Sequence, residues 1–298
     1  MTAKDAIEHY SKLTKEIEEN IELKKYVYTI HDIDYFKNTI SKNQKDFQRI
    51  YWEEILQRAH WAGLSSLIRN LQWIKGTATS IKDNNLLSFT ANLRCLIESS
   101  GDNLLSLLNV PATLADNFSN ISKCLKGNTE EKTMYTSEEL EEILIHFSYA
   151  RKITSEEKNL QGKMPKYQNA KPAGEYLKRL DNNVGNGPVA DLYSILCQFA
   201  HPAAHSVHYL FHMSFDNIKY EFKYSQNADK EYIDRILIGY SDEIIKSLQY
   251  GFNPGILTLK TLNFFDYELT KTKYLDTIDL GEMKMWTDIK NKITTLSK

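Results

Sequence analysis

Four of the chain's eight histidines fall within twelve positions: His201, His205, His208 and His212. At about 100° per residue they would lie within an arc of roughly 60°, so a continuous helix would present all four on one face. Pro202 is expected to break or kink such a helix and to displace His201 from the others. The stripe that then remains is His205, His208 and His212.

Histidines at this spacing suit two kinds of chemistry. Neutral imidazoles at i and i+4 can ligate zinc, and histidine is the natural acid or base near pH 7. A zinc site needs further ligands from another helix, whereas an ordinary histidine needs only a carbonyl group or a water molecule. The stripe therefore leaves three interpretations open: a metal site at His205, His208 and His212, an acid–base or phosphate-binding histidine, or structural and surface histidines.

A second group of polar residues, Arg94, Glu98 and Asp102, recurs at i, i+4 and i+8 and drifts by only about 80° around a helix. A solvent-facing ladder of ion pairs is the ordinary interpretation. Against it, Arg before Glu is the less favourable order, and Leu87 and Leu105 share the same face. A buried polar cluster between helices is the alternative, in which Glu98 or Asp102 would orient a histidine or ligate a metal ion.

Two stretches, ANLRCLIESSGD at 91–102 and DLYSILCQFAHPAAHSV at 191–207, together carry an Arg-x3-Glu helix followed by Tyr-x3-Cys-x3-His-Pro. In this pattern the chain, over about residues 50–215, resembles bacterial helical proteins placed near the HEPN superfamily of helical nucleotide- and RNA-associated domains. The resemblance implies a helical bundle in which the arginine- and histidine-bearing helices are adjacent, and a link to toxin–antitoxin or phage-defence systems. The matching residues are Arg94, Glu98, Tyr193, Cys197, His201 and Pro202.

Catalytic members of that superfamily carry an arginine four to six residues before a histidine on one helix, where the pair acts on the RNA 2′-hydroxyl and the scissile phosphate. This chain departs from that pattern, because the nearest arginine upstream of His201 is Arg179. The resemblance implies a substitute in which Arg94 reaches His201 from the neighbouring helix. His201 would then act as acid and base and Arg94 would stabilise the phosphorane. Glu98 and Tyr193 complete the predicted catalytic set.

The elements that must position these residues are predicted to be helices. Glycine and proline number only twelve and six in 298 residues, and apolar residues recur at helical spacing. We predict an all-α, up-and-down helical bundle with at most a short extended segment at 217–224. Because no repeat or Gly/Ser-rich linker divides the chain, we predict a single domain, with helices at 1–48 and 228–298 flanking a HEPN-like core at about 50–215.

Small side chains form a patch on the predicted helix that follows residue 50. They predict a tight crossing with another helix. The patch also leaves room for a homodimer. Its members are Ala59, Ala62, Gly63 and Ser66.

Composition limits the partners and the compartment. With 37 Lys and Arg against 39 Asp and Glu, the net charge of -2 creates no overall positive field, so any contact with RNA must be local. Three cysteines without a CxxC pair argue against a disulfide framework or a cysteine zinc site, and a reducing cytoplasm fits best. Because the first twenty residues contain no apolar segment of a signal peptide, and no later stretch is long enough to span a bilayer, we expect neither export nor a membrane.

Three functions remain open from the sequence. The leading hypothesis is an RNA- or nucleotide-directed effector or regulator, as a metal-independent ribonuclease; lysines between 158 and 179, interleaved with Tyr167 and Tyr176, fit contact with single-stranded RNA as well as a solvated loop. The second is a catalytically inert helical module that binds a partner protein. The third is a metal-dependent hydrolase built on the three-histidine stripe. The sequence identifies no cofactor.

Overall fold

The structure, a computed structural model, is predominantly helical. It describes residues 1–20, 26–129, 133–158, 169–185, 188–202 and 204–296. The helices are α1 (Ala3–Glu19), α2 (Ile33–Lys42), α3 (Gln44–Lys82), α4 (Leu86–Leu107), α5 (Val110–Asp116), α6 (Phe118–Leu125), α7 (Glu138–Tyr149), α8 (Ser155–Lys158), α9 (Ala173–Val184), α10 (Pro188–Ala200), α11 (Ala204–His208), α12 (Ala228–Gly239), α13 (Ser241–Leu262) and α14 (Lys284–Leu296). Short 3₁₀ turns cover Glu268–Thr270 and Lys273–Thr277. The all-α prediction is confirmed.

An antiparallel hairpin accompanies the helices, formed by β1 (Phe211–Phe215) and β2 (Tyr220–Tyr224). The extended segment predicted at 217–224 is therefore present, but the hairpin begins earlier. Asn217 closes the turn with a left-handed φ of 74°, a conformation that asparagine tolerates better than most residues. Asp216 Oδ1 accepts hydrogen bonds from the backbone N–H groups of Ile218 and Lys219, at 3.1 and 2.8 Å, which fixes the turn.

The chain forms two compact units, and each is assembled from three separate segments. The first contains Met1–Glu16, Leu67–Leu105 and Pro172–Phe252, and the second contains Ile17–Ser66, Ser106–Lys171 and Asn253–Lys298. The helices α3 and α13 contribute residues to both units. The single domain predicted from the sequence, with its flanking segments and central core, stays a prediction.

The core of the first unit includes the apolar stripes of α4 and α10, and full burial of one large apolar side chain contributes roughly 1.5–3 kcal/mol. The apolar stripe of α4 opposite its charged residues is fully buried. Because the apolar face of each helix is packed in the core, the direction of its polar face is fixed. The buried residues are Leu86, Phe89, Leu93, Leu96, Ile97 and Leu104 on α4, and Val189, Leu192, Leu196 and Phe199 on α10.

Helix α9 holds α4 and α10 in place. Gly101 of α4 lies so close to α9 that a Cβ atom there would come within 2.9 Å of the Tyr176 carbonyl oxygen, so only glycine fits without a shift. Asp181 of α9 caps the start of α10, where its Oδ1 accepts from the N–H groups of Val189 and Ala190 at 3.1 and 3.3 Å. These contacts fix the two helices that carry the predicted site.

The small-residue patch of α3 makes the predicted close crossing inside the second unit. A Cβ atom on Gly63 would lie 2.9 Å from Leu259 Cγ and 3.4 Å from the Gly255 carbonyl oxygen, both on α13. The prediction of a tight helix crossing is confirmed. None of the helices that the structure describes combines the length and apolar composition that a bilayer-spanning segment requires.

Candidate functional site

Arg94 of α4 meets His201, the residue that follows α10. Arg94 Nη1 lies 3.0 Å from His201 Nε2, within hydrogen-bond distance. Because a guanidinium group only donates, Nε2 accepts this bond and the neutral imidazole carries its proton on Nδ1. The sequence distance between the two residues is 107 positions, so the pair forms only when α4 and α10 pack together.

The end of α10 places His201 at the protein surface. Its backbone N–H still donates to the Cys197 carbonyl, at 3.0 Å, although the helix ends at Ala200. Pro202 has no backbone N–H to continue the ladder, and the next helix, α11, begins at Ala204. The interruption predicted at Pro202 is present, and it leaves the imidazole of His201 exposed to solvent.

The guanidinium of Arg94 is held from its other side by Glu98, one turn along α4. Arg94 Nε lies 3.7 Å from Glu98 Oε1, and the arginine side chain is only 22% exposed. Burial lowers the pKa of Arg94, but the nearby Cys95 and Glu98 and a hydrogen bond with Cys197 outweigh burial, so the net pKa is raised. Arg94 is thus a permanent cation, and one of its Nη groups faces an exposed imidazole.

Tyr193 of α10 ties Glu98 to the opposite helix. Its hydroxyl donates to Glu98 Oε1 at 2.6 Å. Burial and the adjacent Glu98 raise the pKa of Tyr193, so the phenol remains a donor at neutral pH. A continuous series of polar contacts therefore runs from Tyr193 through Glu98 and Arg94 to His201. The structure brings together all four residues predicted as catalytic, while their roles stay a prediction.

Two cysteines lie inside this cluster. Cys95 and Cys197 are both half-buried and interact with Arg94. Burial, followed by the charge of Glu98, raises the pKa of the Cys95 thiol, which disfavours its nucleophilic thiolate form. The signal in the sequence is the spacing of Tyr193, Cys197 and His201 at i, i+4 and i+8, which aligns the residue just after α10 with one face of that helix.

Asp102, the third charged residue of the predicted ladder on α4, contacts a different partner. Its Oδ2 lies 2.8 Å from Arg69 Nη2 of α3, and the same nitrogen donates to Asn103 Oδ1 at 2.9 Å. Asn103 is itself fully buried and donates to the Gly251 carbonyl at 2.6 Å. Asp102 therefore belongs to the packing of α3 against α4, and the Arg94–Glu98 pair continues toward α10 without it.

The three histidines considered as metal ligands do not lie on one helix. His205 and His208 belong to α11, which ends at His208, whereas His212 lies in β1 opposite Lys223. The helix face predicted for them is wrong, because the alternating aromatic residues that follow His208 pair as strands. All three side chains are exposed. Within the described part of the chain, no group of three or more His, Cys, Asp or Glu side chains is arranged to hold a metal ion.

His60, which the sequence did not single out, is fully buried in the second unit. Its Nδ1 is 2.8 Å from the Tyr28 hydroxyl, and its Nε2 is 3.2 Å from Thr272 Oγ1. Burial lowers the pKa of His60 to about 4. Its partners are 32 and 212 positions away along the chain, so no local motif could have indicated them.

A polar cavity of about 280 Å³ lies in the same unit, beside the segment of chain that precedes α2. Glu54 accepts hydrogen bonds from both the backbone nitrogen and Nδ1 of His31, each at 2.7 Å. Gln57 accepts from the Thr29 N–H at 2.9 Å and donates to the Tyr267 hydroxyl at 2.6 Å. These hydrogen bonds satisfy the two buried polar side chains of α3, Glu54 and Gln57. The polar lining of the cavity therefore has a structural role and does not by itself indicate a ligand.

Comparisons of the chain with models of known protein families, with curated proteins and with solved structures give no match. The resemblance to the HEPN superfamily therefore stays a prediction. Function must be argued from the residues at the contact between α4 and α10.

Proposed function

We propose that the protein is a HEPN-like, RNA-directed effector that cleaves RNA without a metal ion and uses His201 and Arg94 as its catalytic pair. The observation that carries the proposal is the 3.0 Å contact between Arg94 Nη1 and His201 Nε2. It places a permanent cation next to an imidazole, the side chain most often used as a general acid and base. An exposed imidazole at the end of a helix also suits a polymeric substrate, which cannot enter a closed cavity.

The contact suggests how substrate would activate the histidine. In the free protein, the lone pair of His201 Nε2 is occupied by the hydrogen bond from Arg94. A phosphodiester offers the guanidinium two anionic oxygens, a stronger partner than a neutral imidazole. Binding of the scissile phosphate would withdraw Arg94 from Nε2 and leave that lone pair free to accept the proton of the adjacent 2′-hydroxyl.

The reaction then balances without a further reagent. The 2′-oxygen attacks phosphorus while its proton passes to His201 Nε2, and Arg94 stabilises the additional negative charge of the phosphorane. The bond to the 5′-oxygen breaks, and the imidazolium returns the proton to that leaving group. The expected products carry a 2′,3′-cyclic phosphate and a free 5′-hydroxyl.

Glu98 and Tyr193 support this pair from behind. Glu98 approaches the Nε side of Arg94 and leaves Nη1 directed at His201, and Tyr193 fixes the carboxylate with a hydrogen bond of 2.6 Å. We assign both as positioning residues. An inert interaction module would have been favoured by an Arg94 engaged at the surface far from His201, and the observed contact instead favours the nuclease.

The same proposal includes the setting of the protein. We place it in the cytoplasm, where its three free cysteines would remain reduced. The resemblance to the HEPN superfamily supports a role in a toxin–antitoxin or phage-defence system, with RNA as the target. Overall charge offers no general attraction for RNA, so recognition would depend on the site itself.

The test is cleavage of mixed cellular RNA, and of a defined oligoribonucleotide, by the purified wild-type protein and two variants, each with and without EDTA. We expect wild-type cleavage to survive EDTA and His201→Ala to lose about 10³-fold or more in rate. His205→Ala is the matched control, because His205 is an exposed histidine of the neighbouring helix, and its rate should be unchanged. A 2′-deoxy substitution at the cleaved position should block the reaction.

Three outcomes would contradict the proposal. An unchanged rate in His201→Ala would remove this residue from the reaction. Loss of cleavage in EDTA would point to a metal-dependent enzyme. Absence of cleavage on every RNA tested would leave the interaction module as the better account.

A further inference from the structure

The hairpin of β1 and β2 has one apolar face and one polar face. Residues directly opposite each other in an antiparallel pair project to the same side of the sheet. One side carries the pairs Phe211–Tyr224, Met213–Phe222 and Phe215–Tyr220. The other side carries His212–Lys223 and Ser214–Glu221.

The side chains of the apolar face are unusually exposed for their type. Phe215 and Tyr220 stack at 4.6 Å between ring centroids, yet they remain 55% and 64% exposed. The other four members of the face are between 40% and 59% exposed. With about 200 Å² for a large aromatic side chain, the six residues expose roughly 600 Å² of apolar surface. That equals or exceeds the largest apolar patch of an ordinary monomer, and such patches are often interaction sites.

Charge decides what kind of partner fits this surface. Single-stranded RNA is bound by aromatic rings accompanied by cations that follow the phosphates. Here His212 and Lys223 project to the opposite side of the hairpin, and the turn that carries Lys219 also carries the acidic Asp216. An anionic lipid surface would require the same missing cations. The face therefore fits an apolar protein surface.

We propose that this apolar face binds the same face of a second copy of the chain, so that two hairpins pack against each other in a symmetric dimer. The exposed area of roughly 600 Å² reaches the lower end of the range that each partner of a standard interface buries, about 600 to 1,000 Å². A two-fold axis requires a self-complementary patch, and a mixture of aromatic rings and one flexible methionine can interdigitate with its own copy.

The stability of the hairpin supports the same conclusion. An isolated two-stranded hairpin is marginal in water and needs a further strand or a packed layer on its apolar face. The second copy would supply that layer. This inference does not depend on the proposed nuclease activity, because His201 and Arg94 lie outside the hairpin.

The test is sedimentation equilibrium of the full chain from about 1 to about 100 μM. We expect the wild type to reach twice its monomer mass of 34.6 kDa. Met213→Ser combined with Phe222→Ser, which removes the central pair of the apolar face from both copies, should weaken the dimer by at least about 100-fold. Ser214→Ala combined with Glu221→Ala is the matched control, because it changes a directly paired position on the polar face and should leave the dimer intact.

A mixing experiment separates loss of the interface from loss of the fold. Met213→Glu and Met213→Lys should each be monomeric, and an equimolar mixture should associate again, because opposite charges near the two-fold axis attract. A misfolded hairpin would not be restored in this way. A mixture that stays monomeric would overturn the face-to-face arrangement.

The remaining outcomes also overturn the proposal. A wild type that is monomeric throughout the concentration range has no such interface, and an equal loss of association in both paired variants would place the interface elsewhere. If a monomer bound labelled oligouridine or neutral lipid vesicles and lost this binding in Met213→Ser with Phe222→Ser, the face would belong to RNA or to a membrane.

Discussion

His201 and His60 make polar contacts of similar length, but they differ in solvent exposure and in the charge of their partners. His201 is exposed and lies 3.0 Å from the guanidinium of Arg94, whereas His60 is fully buried between Tyr28 and Thr272. Under the proposed mechanism, a substrate phosphate would draw Arg94 away from His201, because Arg94 is a cation and the pair is open to solvent. No solvent reaches His60, and its partners are neutral hydroxyls of the fold. Access and the charge of the partner, rather than the presence of a hydrogen bond, separate a histidine that can do chemistry from one that packs.

Among the variants that test this comparison, removal of Arg94 should cause the largest change in activity. Under the proposed mechanism, Arg94→Ala should lower kcat/KM for RNA cleavage by about 10²- to 10³-fold, since the charge that stabilises the phosphorane is lost. Arg94→Lys should fall between this variant and the wild type, because a lysine keeps the charge but not the two-pronged geometry. The measurement is initial-rate kinetics on a fluorogenic oligoribonucleotide.

Arg179→Ala is the matched control for this prediction. Arg179 is the nearest arginine upstream of His201 in the sequence, and it is exposed on α9. Its removal should leave cleavage unchanged. If Arg179→Ala lost activity and Arg94→Ala did not, the contact between α4 and α10 would have no catalytic meaning.

Removal of each histidine should separate stability from chemistry. His60→Ala should lower the free energy of unfolding by about 3 kcal/mol, because it creates a buried cavity and leaves Tyr28 and Thr272 without their partner. His201→Ala should change the free energy of unfolding by less than about 0.5 kcal/mol, as expected for an exposed side chain. Urea unfolding followed by circular dichroism measures both values. Equal losses in the two variants would contradict the distinction between them.

Acid should weaken the protein through His60. Its pKa is lowered from 6.5 to about 4 by burial, so the unfolded chain binds this proton at a higher pH than the folded one. The stabilisation is fully present above pH 6.5 and is lost as the pH falls toward about 4. Between pH 7 and pH 5 the free energy of unfolding should fall by about 2 kcal/mol from this residue.

His60→Gln is the control for the acid effect, because glutamine is polar but does not titrate. This variant should be less stable than the wild type at pH 7. Between pH 7 and pH 5, its free energy of unfolding should fall by about 2 kcal/mol less than that of the wild type. If both proteins showed the same dependence, another group would be responsible.

The regions that sequence could predict are those in which local spacing carries the information. Arg94 and Glu98 on one helix, and Tyr193 and His201 on another, each repeat at multiples of four, so the faces they occupy follow from helical geometry. That the two faces meet followed only from the resemblance. The residues on the two helices are about a hundred positions apart, so their contact depends on how the helices pack and cannot be read from local spacing.

The regions that sequence missed depend on contacts that local spacing does not encode. The stripe ending at His212 satisfied helical periodicity, but cross-strand pairing of aromatic residues from 211 to 224 dominates in the folded chain. Strand propensity depends strongly on such pairs, which one stretch of sequence does not reveal. His60 was missed for the same reason, since Tyr28 and Thr272 reach it from distant segments.

The smallest expected effect concerns Tyr193, which acts on the pair only through Glu98. Tyr193→Phe keeps the ring and removes the hydrogen bond of 2.6 Å, so under the proposed mechanism kcat should fall by between about 2- and 10-fold. KM should be unchanged, and the variant should have little further effect in a Glu98→Gln background, because both act on the direction of Arg94. A loss as large as that of His201→Ala would instead mean that the phenol itself transfers a proton. Burial of the phenol and the adjacent Glu98 raise its pKa and make that transfer unfavourable, since both hold the proton on the hydroxyl.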